Sequence, residues 1–360
     1  MSEIRIAQLV GNTSLGGVSN CVLNYWKYFD KEKFSFDFFT YGETDFDEKV
    51  KRIGGECHAI HDFRDPLKAC SDLKRFLREE RYDIVHSHLT SLSVFPLYVA
   101  KKEKIDVRIV HSHSTTDGKE KTAVIKNVLK RFADHYADAR FACSVKSGEW
   151  LYGSKVFFLM PNAIDLDRFS FDPSARKALR NQYDIRGVCV GFAGRFEYQK
   201  GLFRFLDIAK EVSKRTESTA VLIGDGSQKE ELKRYAEQNG IKAIFLPGCD
   251  EIERWYSAFD CLLMPSLYEG LPLVGIEAQS CGLPVFLSDA VTRECDFGGA
   301  RFFARADEDL FSAISMCEGL RIDCREELIS RGYEIRTAAK RLEQVYEDLV
   351  LNASKKKTDR

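Results

Sequence analysis

The sequence predicts an α/β protein of two domains, each built on a parallel sheet, and three observations carry that expectation. Apolar, β-rich runs alternate with helical patterns from the fourth residue onward, which is the layout of βα units covering a sheet on both faces. The alternation stops once, over residues 160–181, and then restarts. The length, 360 residues, suits two domains of ~100–200 residues each.

In the first half, Ile4–Val10, Phe34–Thr40, Ile84–Ser87, Val107–His111 and Arg140–Ser144 read as buried strands. Helices are expected from near Val18 and over Pro66–Arg81 and Lys119–Ala137. The stretch PNAIDLDRFSFDPSARKALRN offers turn residues and two prolines without a period, so the boundary is placed there, with the first domain over 1–167. The second domain, 168–336, opens with strand Val188–Ala193 and helix Lys200–Arg215. Strand Ala220–Ile223, helix Lys229–Gln238, and strands Ala243–Leu246, Asp260–Pro265 and Val285–Ser288 follow, with a helix from near Leu273 before the last strand. In the final segment, 337–360, Leu342, Val345, Tyr346 and Leu349 sit at helical spacing within Thr337–Leu351. That helix is expected to pack back toward the first domain, ahead of a basic KKKTDR tail.

Composition narrows the function classes. With 44% hydrophobic residues the chain builds a sizeable core, and 54 basic against 55 acidic residues leave a net charge of −1, unlike a protein that engulfs a nucleic-acid backbone. Eleven cysteines, odd in number and without a CxxC pair, fit a reduced cytoplasmic chain better than a disulfide scaffold. All seven histidines fall between His58 and His135 without zinc-ligand spacing. IRIAQLV at the amino end reads as a strand rather than a signal peptide. The longest run free of charged side chains, Ile84–Ala100, is too short and polar for a membrane span.

Ligands of facing α/β domains bind at the carboxyl ends of the strands, so residues just past strand ends are the ones to inspect. GNTSLGGVSN follows the first strand; Gly16 and Gly17 allow backbone N–H groups to approach an anion, or simply make a tight turn. Gly17 stands where a P-loop needs its lysine, and GxGxxG is absent. GFAGRFEYQKG places Arg195 and Lys200 near a helix start, a pairing suited to a diphosphate or to a solvated surface. IGDGS is another strand-to-helix turn. The most informative segment is PSLYEGLPLVGIEAQSCGLPV: Glu269 lies in the loop after a strand, Gly270 opens the turn, and Glu277 sits on an otherwise apolar helix, where an ionised group needs a partner. A carboxylate accepts from two adjacent hydroxyls at once, as a ribose or a sugar diol requires.

Taken together, the Glu269/Glu277 pair, the GR…KG of Gly194, Arg195, Lys200 and Gly201, the GDG of Gly224–Gly226, the PNAID segment and the early GGV resemble family 4 retaining glycosyltransferases of the GT-B type. The resemblance spans essentially the whole chain in order. VHSHLTS and RIVHSHSTT are similar to segments of bacterial capsule and exopolysaccharide glycosyltransferases. It implies two Rossmann-like domains facing a cleft. The catalytic group would be His111, Arg195, Lys200 and Glu269, with Gly16, Gly17 and Gly226 on the donor. Arg195 and Lys200 would bind the phosphates, Glu277 the ribose, and Glu269 with Gly270 and Leu271 the transferred sugar. His111 is the implied cleft histidine and His113 its alternative; His86, His88 and His113 are acceptor-side candidates, though a buried, hydrogen-bonded role is the plainer one for His86 and His88. Ala163 departs from the family's PNG.D pattern.

The implied reaction moves a sugar from a nucleotide diphosphate sugar, expected to be UDP-linked, to a glycan or lipid-linked acceptor in surface polysaccharide synthesis, with retention and without a metal or other cofactor. The triplets Asp45/Asp47, in an acidic loop, and Asp165/Asp167 read as structural. A non-catalytic nucleotide-sugar binder, a nucleotide-sugar epimerase and a phosphorylase are the competing readings. Nine Lys/Arg against four Asp/Glu between Lys101 and Arg131, with Ile125, Val128, Leu129 and Phe132 at helical spacing, suit either peripheral contact with an anionic membrane or a helix packed on the sheet.

Overall fold

The computed structural model describes residues 3–12, 17–42, 44–113, 123–269 and 271–358. The chain forms two compact units: Met1–Ala163 together with Gly332–Arg360, and Ile164–Arg331. These divisions fall slightly before the ones expected from the sequence.

The first unit holds a seven-stranded parallel sheet. Its strands are β1 (Ile4–Gly11), β2 (Phe34–Tyr41), β3 (Glu56–Ile60), β4 (Ile84–Ser87), β5 (Val107–Ser112), β6 (Ala139–Ala142) and β7 (Phe158–Leu159), in the order β3-β2-β1-β4-β5-β6-β7. Alternation along each strand sends successive side chains to opposite faces. Ile4, Ile6, Phe34, Phe36, Phe38, Ile84 and Ile109 therefore share one face, beneath helices Gly17–Lys27 and Ile335–Thr358. Ala7, Leu9, Phe39, Val85 and Val110 share the other, with Leu73 and Leu77 of helix Pro66–Glu79 and Leu97 of helix Val94–Lys102. The terminal helix supplies Ile335, Ala339, Leu342 and Tyr346 to the first face. It runs through the lysines expected to form a loose tail: Lys355, Lys356 and Lys357 close its last turn, where cations favour the helix dipole, and Lys357 pairs with Asp106.

One expected helix ends early. Lys119–Ala137 becomes Ala123–Lys130, because i→i−3 hydrogen bonds from Arg131, Phe132 and Ala133 tighten the chain into turns; residues 114–122 lie outside those described. Asp45 and Asp47, expected in a loop, open helix Asp45–Lys51, where Asp47 accepts from the Thr44 N–H in a capping box.

The second unit repeats the plan with β8 (Val188–Ala193), β9 (Ser218–Ile223), β10 (Ala243–Leu246), β11 (Cys261–Met264), β12 (Val285–Ser288) and β13 (Ala300–Phe303), ordered β10-β9-β8-β11-β12-β13. The expected helix Lys200–Arg215 is broken at Gly201, whose left-handed φ of 65° separates a short 3₁₀ turn from helix Leu202–Ser213. A Cβ there would lie 2.3 Å from the Pro265 carbonyl oxygen. Behind the sheet, fully buried Asp260 accepts from Arg176 (2.6 Å), Arg180 (2.8 Å) and the N–H groups of Cys189 and Gly319 (both 2.8 Å).

Candidate active site

At the carboxyl ends of the second unit's strands, three loops are bound to one another through backbone. Phe196, past β8, donates its N–H to the Asp225 carbonyl (2.7 Å), and its own carbonyl accepts from Gln228 N–H (3.0 Å). Gly224 makes that approach possible: a Cβ on it would lie 1.9 Å from Gly194 O. Gly226 follows, its N–H held by Asp225 Oδ1 at 2.8 Å. The loop after β11 joins from the other side, with Leu267 N–H donating to Gln199 O (2.8 Å) and Gln199 Nε2 donating to Tyr268 O (2.9 Å).

That junction brings Lys200 and Glu269 together although 69 positions separate them: Nζ donates to Oε2 at 2.5 Å, with the side chains 13% and 14% exposed. Arg195, on the same loop, is exposed and makes no hydrogen bond or ion pair among the described residues. Leu271 is half-buried just before helix Leu273–Ser280, whose N-terminus carries no side-chain cap. Its first N–H groups therefore add donors beside the two cations. Gly270 lies outside the described residues.

Glu277, one turn into that helix, has the partner its setting demands: Tyr256 Oη donates to Oε2 at 2.9 Å. Burial pushes the Glu277 carboxyl up to about 7, against the opposing pull of the Tyr256 hydrogen bond and Arg168. Tyr256 was not singled out from the sequence, because nothing local distinguishes it from the apolar residues beside it.

In the first unit, Gly17 opens its helix with free space beside its Cα, and Gly16 lies outside the described residues. The histidines past β4 and β5 form one cluster. His86 Nδ1 is 2.7 Å from Tyr346 Oη and its Nε2 is 3.2 Å from His111 Nδ1. His88 Nε2 is 2.8 Å from Gln8 Oε1 and its Nδ1 is 2.8 Å from His113 Nε2. Both ring nitrogens of His86 and His88 are thus taken and both rings are buried. His111 is fully buried too, with Nε2 unpartnered, whereas His113 is half-buried. The sequence showed the two HSH segments, but not that strand register would pair them.

Profiles of two families match consecutive parts of the chain: "Glycosyltransferase Family 4" over residues 15–168 and "Glycosyl transferases group 1" over residues 187–316. The protein EpsF of Bacillus subtilis strain 168, whose name places it among glycosyltransferases, is 30% identical over 318 residues, covering 82% of each chain. The chain belongs to glycosyltransferase family 4. A UDP-Gal:alpha-D-GlcNAc-diphosphoundecaprenol alpha-1,3-galactosyltransferase of Escherichia coli is 24% identical over 98% of both chains. Among solved structures, a glycosyltransferase from Rickettsia africae superimposes with a TM-score of 0.78 at 15% identity, covering 97% of this chain and 99% of that one. Anabaena Alr3699/HepE in complex with UDP-glucose gives 0.71 at 17% identity, covering 99% and 100%. The fold is GT-B.

In this glycosyltransferase the acidic triplets have structural occupations. Asp165 Oδ1 accepts from the Asp167 and Arg168 N–H groups, and Asp167 binds Arg325 at 2.6 Å. His86, His88 and His111 are near enough for a metal to be considered. Their rings lie nearly parallel, however: the His86 and His88 ring centroids are 4.2 Å apart, and the His86 and His111 planes differ by 15°. His86 Nε2 meets His111 Nδ1, while the nitrogens of His88 meet His113 and Gln8, as hydrogen-bonded imidazoles do.

Proposed function

We propose that this glycosyltransferase moves a sugar from a UDP-linked donor to a glycan or lipid-linked acceptor with retention, without a divalent cation, in surface polysaccharide synthesis. The observation that carries the reading is the gathering of Arg195, the Lys200–Glu269 pair and an uncapped helix N-terminus at one loop junction. The unpaired Arg195 guanidinium, the Lys200 ammonium shared with one carboxylate, and the backbone donors suit a diphosphate whose charge grows as the glycosidic bond breaks. Glu269, held by Lys200, is poised to accept from hydroxyls of the transferred sugar, and Glu277 from the ribose. With both carboxylates so occupied, departure and attack on one face accounts for retention without a covalent intermediate. The Escherichia coli galactosyltransferase, with its UDP-Gal donor and diphosphoundecaprenol acceptor, and the UDP-glucose complex support a UDP donor and a lipid-linked acceptor. The test is a screen of sugar release from UDP- and GDP-linked donors, with and without excess EDTA. UDP-sugar hydrolysis surviving the chelator is expected; loss restored by Mn2+ or Mg2+ would overturn the metal-free reading.

Glu277 also sets a pH dependence. Its carboxyl must ionise to accept from a diol and its affinity for the proton is raised, so binding of a UDP-sugar should strengthen as pH rises through about 7. A UDP-sugar carries no titrating phosphate proton near neutrality. In Glu277→Gln the rise should vanish, as read by calorimetry at several pH values; an unchanged slope would remove Glu277 from the site.

Peripheral membrane contact is the second element of the proposal. Val128 and Phe132 are 55% and 51% exposed rather than packed on the sheet, and Lys130 lies over the Trp150 ring at 4.1 Å. Apolar side chains beside cations suit an anionic lipid surface. Among the described residues no helix is long and apolar enough to cross a membrane. Binding to anionic vesicles should fall with salt and drop sharply when Lys126, Lys130 and Arg131 become Glu, with donor hydrolysis intact. Co-sedimentation unaffected by that change would refute it.

A further inference from the structure

The histidine cluster has a property that pairwise contacts do not express. Gln8, His86, His88, His111 and His113 all project from one face of adjacent strands, the face covered by the C-terminal helix, because their positions share the parity of Ile6, Ile84 and Ile109. Burial holds the imidazoles of His86, His88 and His111 well below the usual range and takes His113 to about 3. Each ring is therefore neutral near pH 7 and carries one N–H and one lone pair. In each edge-on contact one nitrogen donates and the other accepts, so fixing one proton fixes the rest.

The fixed point is Tyr346. Its hydroxyl has one proton and two polar neighbours, His86 Nδ1 at 2.7 Å and Gln8 Nε2 at 3.3 Å. An amide nitrogen donates and cannot accept, so the tyrosine proton is left for His86 Nδ1. Tyr346 thus donates to His86 Nδ1, so His86 carries its proton on Nε2 and donates to His111 Nδ1. Gln8 Nε2 donates to the tyrosine oxygen, which turns Oε1 toward His88; His88 donates from Nε2, and its bare Nδ1 accepts from His113 Nε2–H.

We propose that Gln8 and Tyr346 are positioning residues: through two edge-on imidazole pairs they hold all four histidines in the Nε2–H form and leave His113 Nδ1 as a bare acceptor for a substrate hydroxyl. His113 Nδ1 makes no hydrogen bond among the described residues, and His113 is the least buried of the four. Turning the Gln8 amide over would reverse every proton and present an N–H there instead. The substrate half of the proposal rests on the sugar-transfer reading; the proton pattern does not.

Ring-nitrogen spectra of the full-length protein labelled with 15N-histidine test it. Four rings are expected with protonated Nε2 and bare Nδ1, unchanged between about pH 5 and 8. A protonated Nδ1 or a charged ring among the four overturns the proposal whether or not the protein is active. In Gln8→Met, His88 and His113 should become mixtures of the two forms while Tyr346 still holds His86 and His111, and turnover should fall ~10-fold. Tyr346→Phe, which keeps the ring near Phe29 and Phe36, should release the His86–His111 pair. Altered ring forms at His113 with unchanged turnover would defeat the substrate half. If the wild-type protein releases sugar from no donor, the transfer reading fails while the spectra still decide the proton pattern.

Discussion

Replacing Lys200 by alanine is expected to lower kcat for sugar release by ~10²-fold or more, and Arg195→Ala by a similar factor. Both act on charge that builds on the leaving diphosphate, so the loss falls on the transition state more than on the bound donor. The variants should nonetheless differ. Arg195 is exposed and makes no hydrogen bond or ion pair among the described residues, so its removal chiefly subtracts a cation. Lys200 also steadies Glu269, so Lys200→Ala should weaken a UDP-sugar more than UDP, whereas Arg195→Ala should weaken both alike. Turnover assays and calorimetry read these effects. Near-normal turnover in both variants would mean that the phosphates lie elsewhere.

Asp260→Ala should destabilise the second unit by ~3–5 kcal/mol. Asp260 is wholly buried, and although burial alone would raise its carboxyl, the Gly319 and Cys189 amides and Arg176 together hold it below the usual range. Removing it leaves two guanidinium groups, 18% and 14% exposed, with backbone carbonyls but no counter-ion, and two backbone donors without their acceptor. A carboxyl so depressed adds stability above its unfolded-state value and loses it as pH falls through the folded one. Urea titrations at neutral and acid pH should show the gap between wild type and variant narrowing on acidification. A gap that stays constant would assign the network's worth to packing.

Much of the fold was legible because central strands of a parallel sheet are apolar on both faces. Ile84–Ser87, Val188–Ala193 and Val285–Ser288 coincide with β4, β8 and β12 to the residue, and helix Lys229–Gln238 does likewise. The edges were harder to read. β3, ECHAI, lies at the border of its sheet with only Ile60 buried, so it lacks the continuous apolar run. Helix Pro173–Gln182 was overlooked for a different reason: Pro173 stands at its first turn behind an Asp172 cap, where proline starts a helix rather than stopping one. At the candidate site, Glu269, Glu277, Arg195 and Lys200 stood out as chemistry near strand ends. Their mutual arrangement did not, since the contact of Lys200 with Glu269 and the service of Tyr256 to Glu277 depend on distant loops meeting. The same holds for Tyr346, which reaches His86 only after the chain has returned to the first sheet.

That return governs how the protein is made. The face of the first sheet that holds Gln8 and the histidines is closed by Ile335, Leu342 and Tyr346, residues translated after the whole of Ile164–Arg331. During synthesis, at ~5–20 residues per second, the second unit has its complete sequence while the first still lacks its cover. Nascent β1, β2 and β4 must therefore wait with one apolar face open, and the last helix closes a loop as long as a domain, at an entropic cost that grows only logarithmically with loop length. A ribosome that stops before the terminal helix leaves a finished second unit attached to an unfinished first one, a species marked for chaperones or proteases rather than a smaller enzyme.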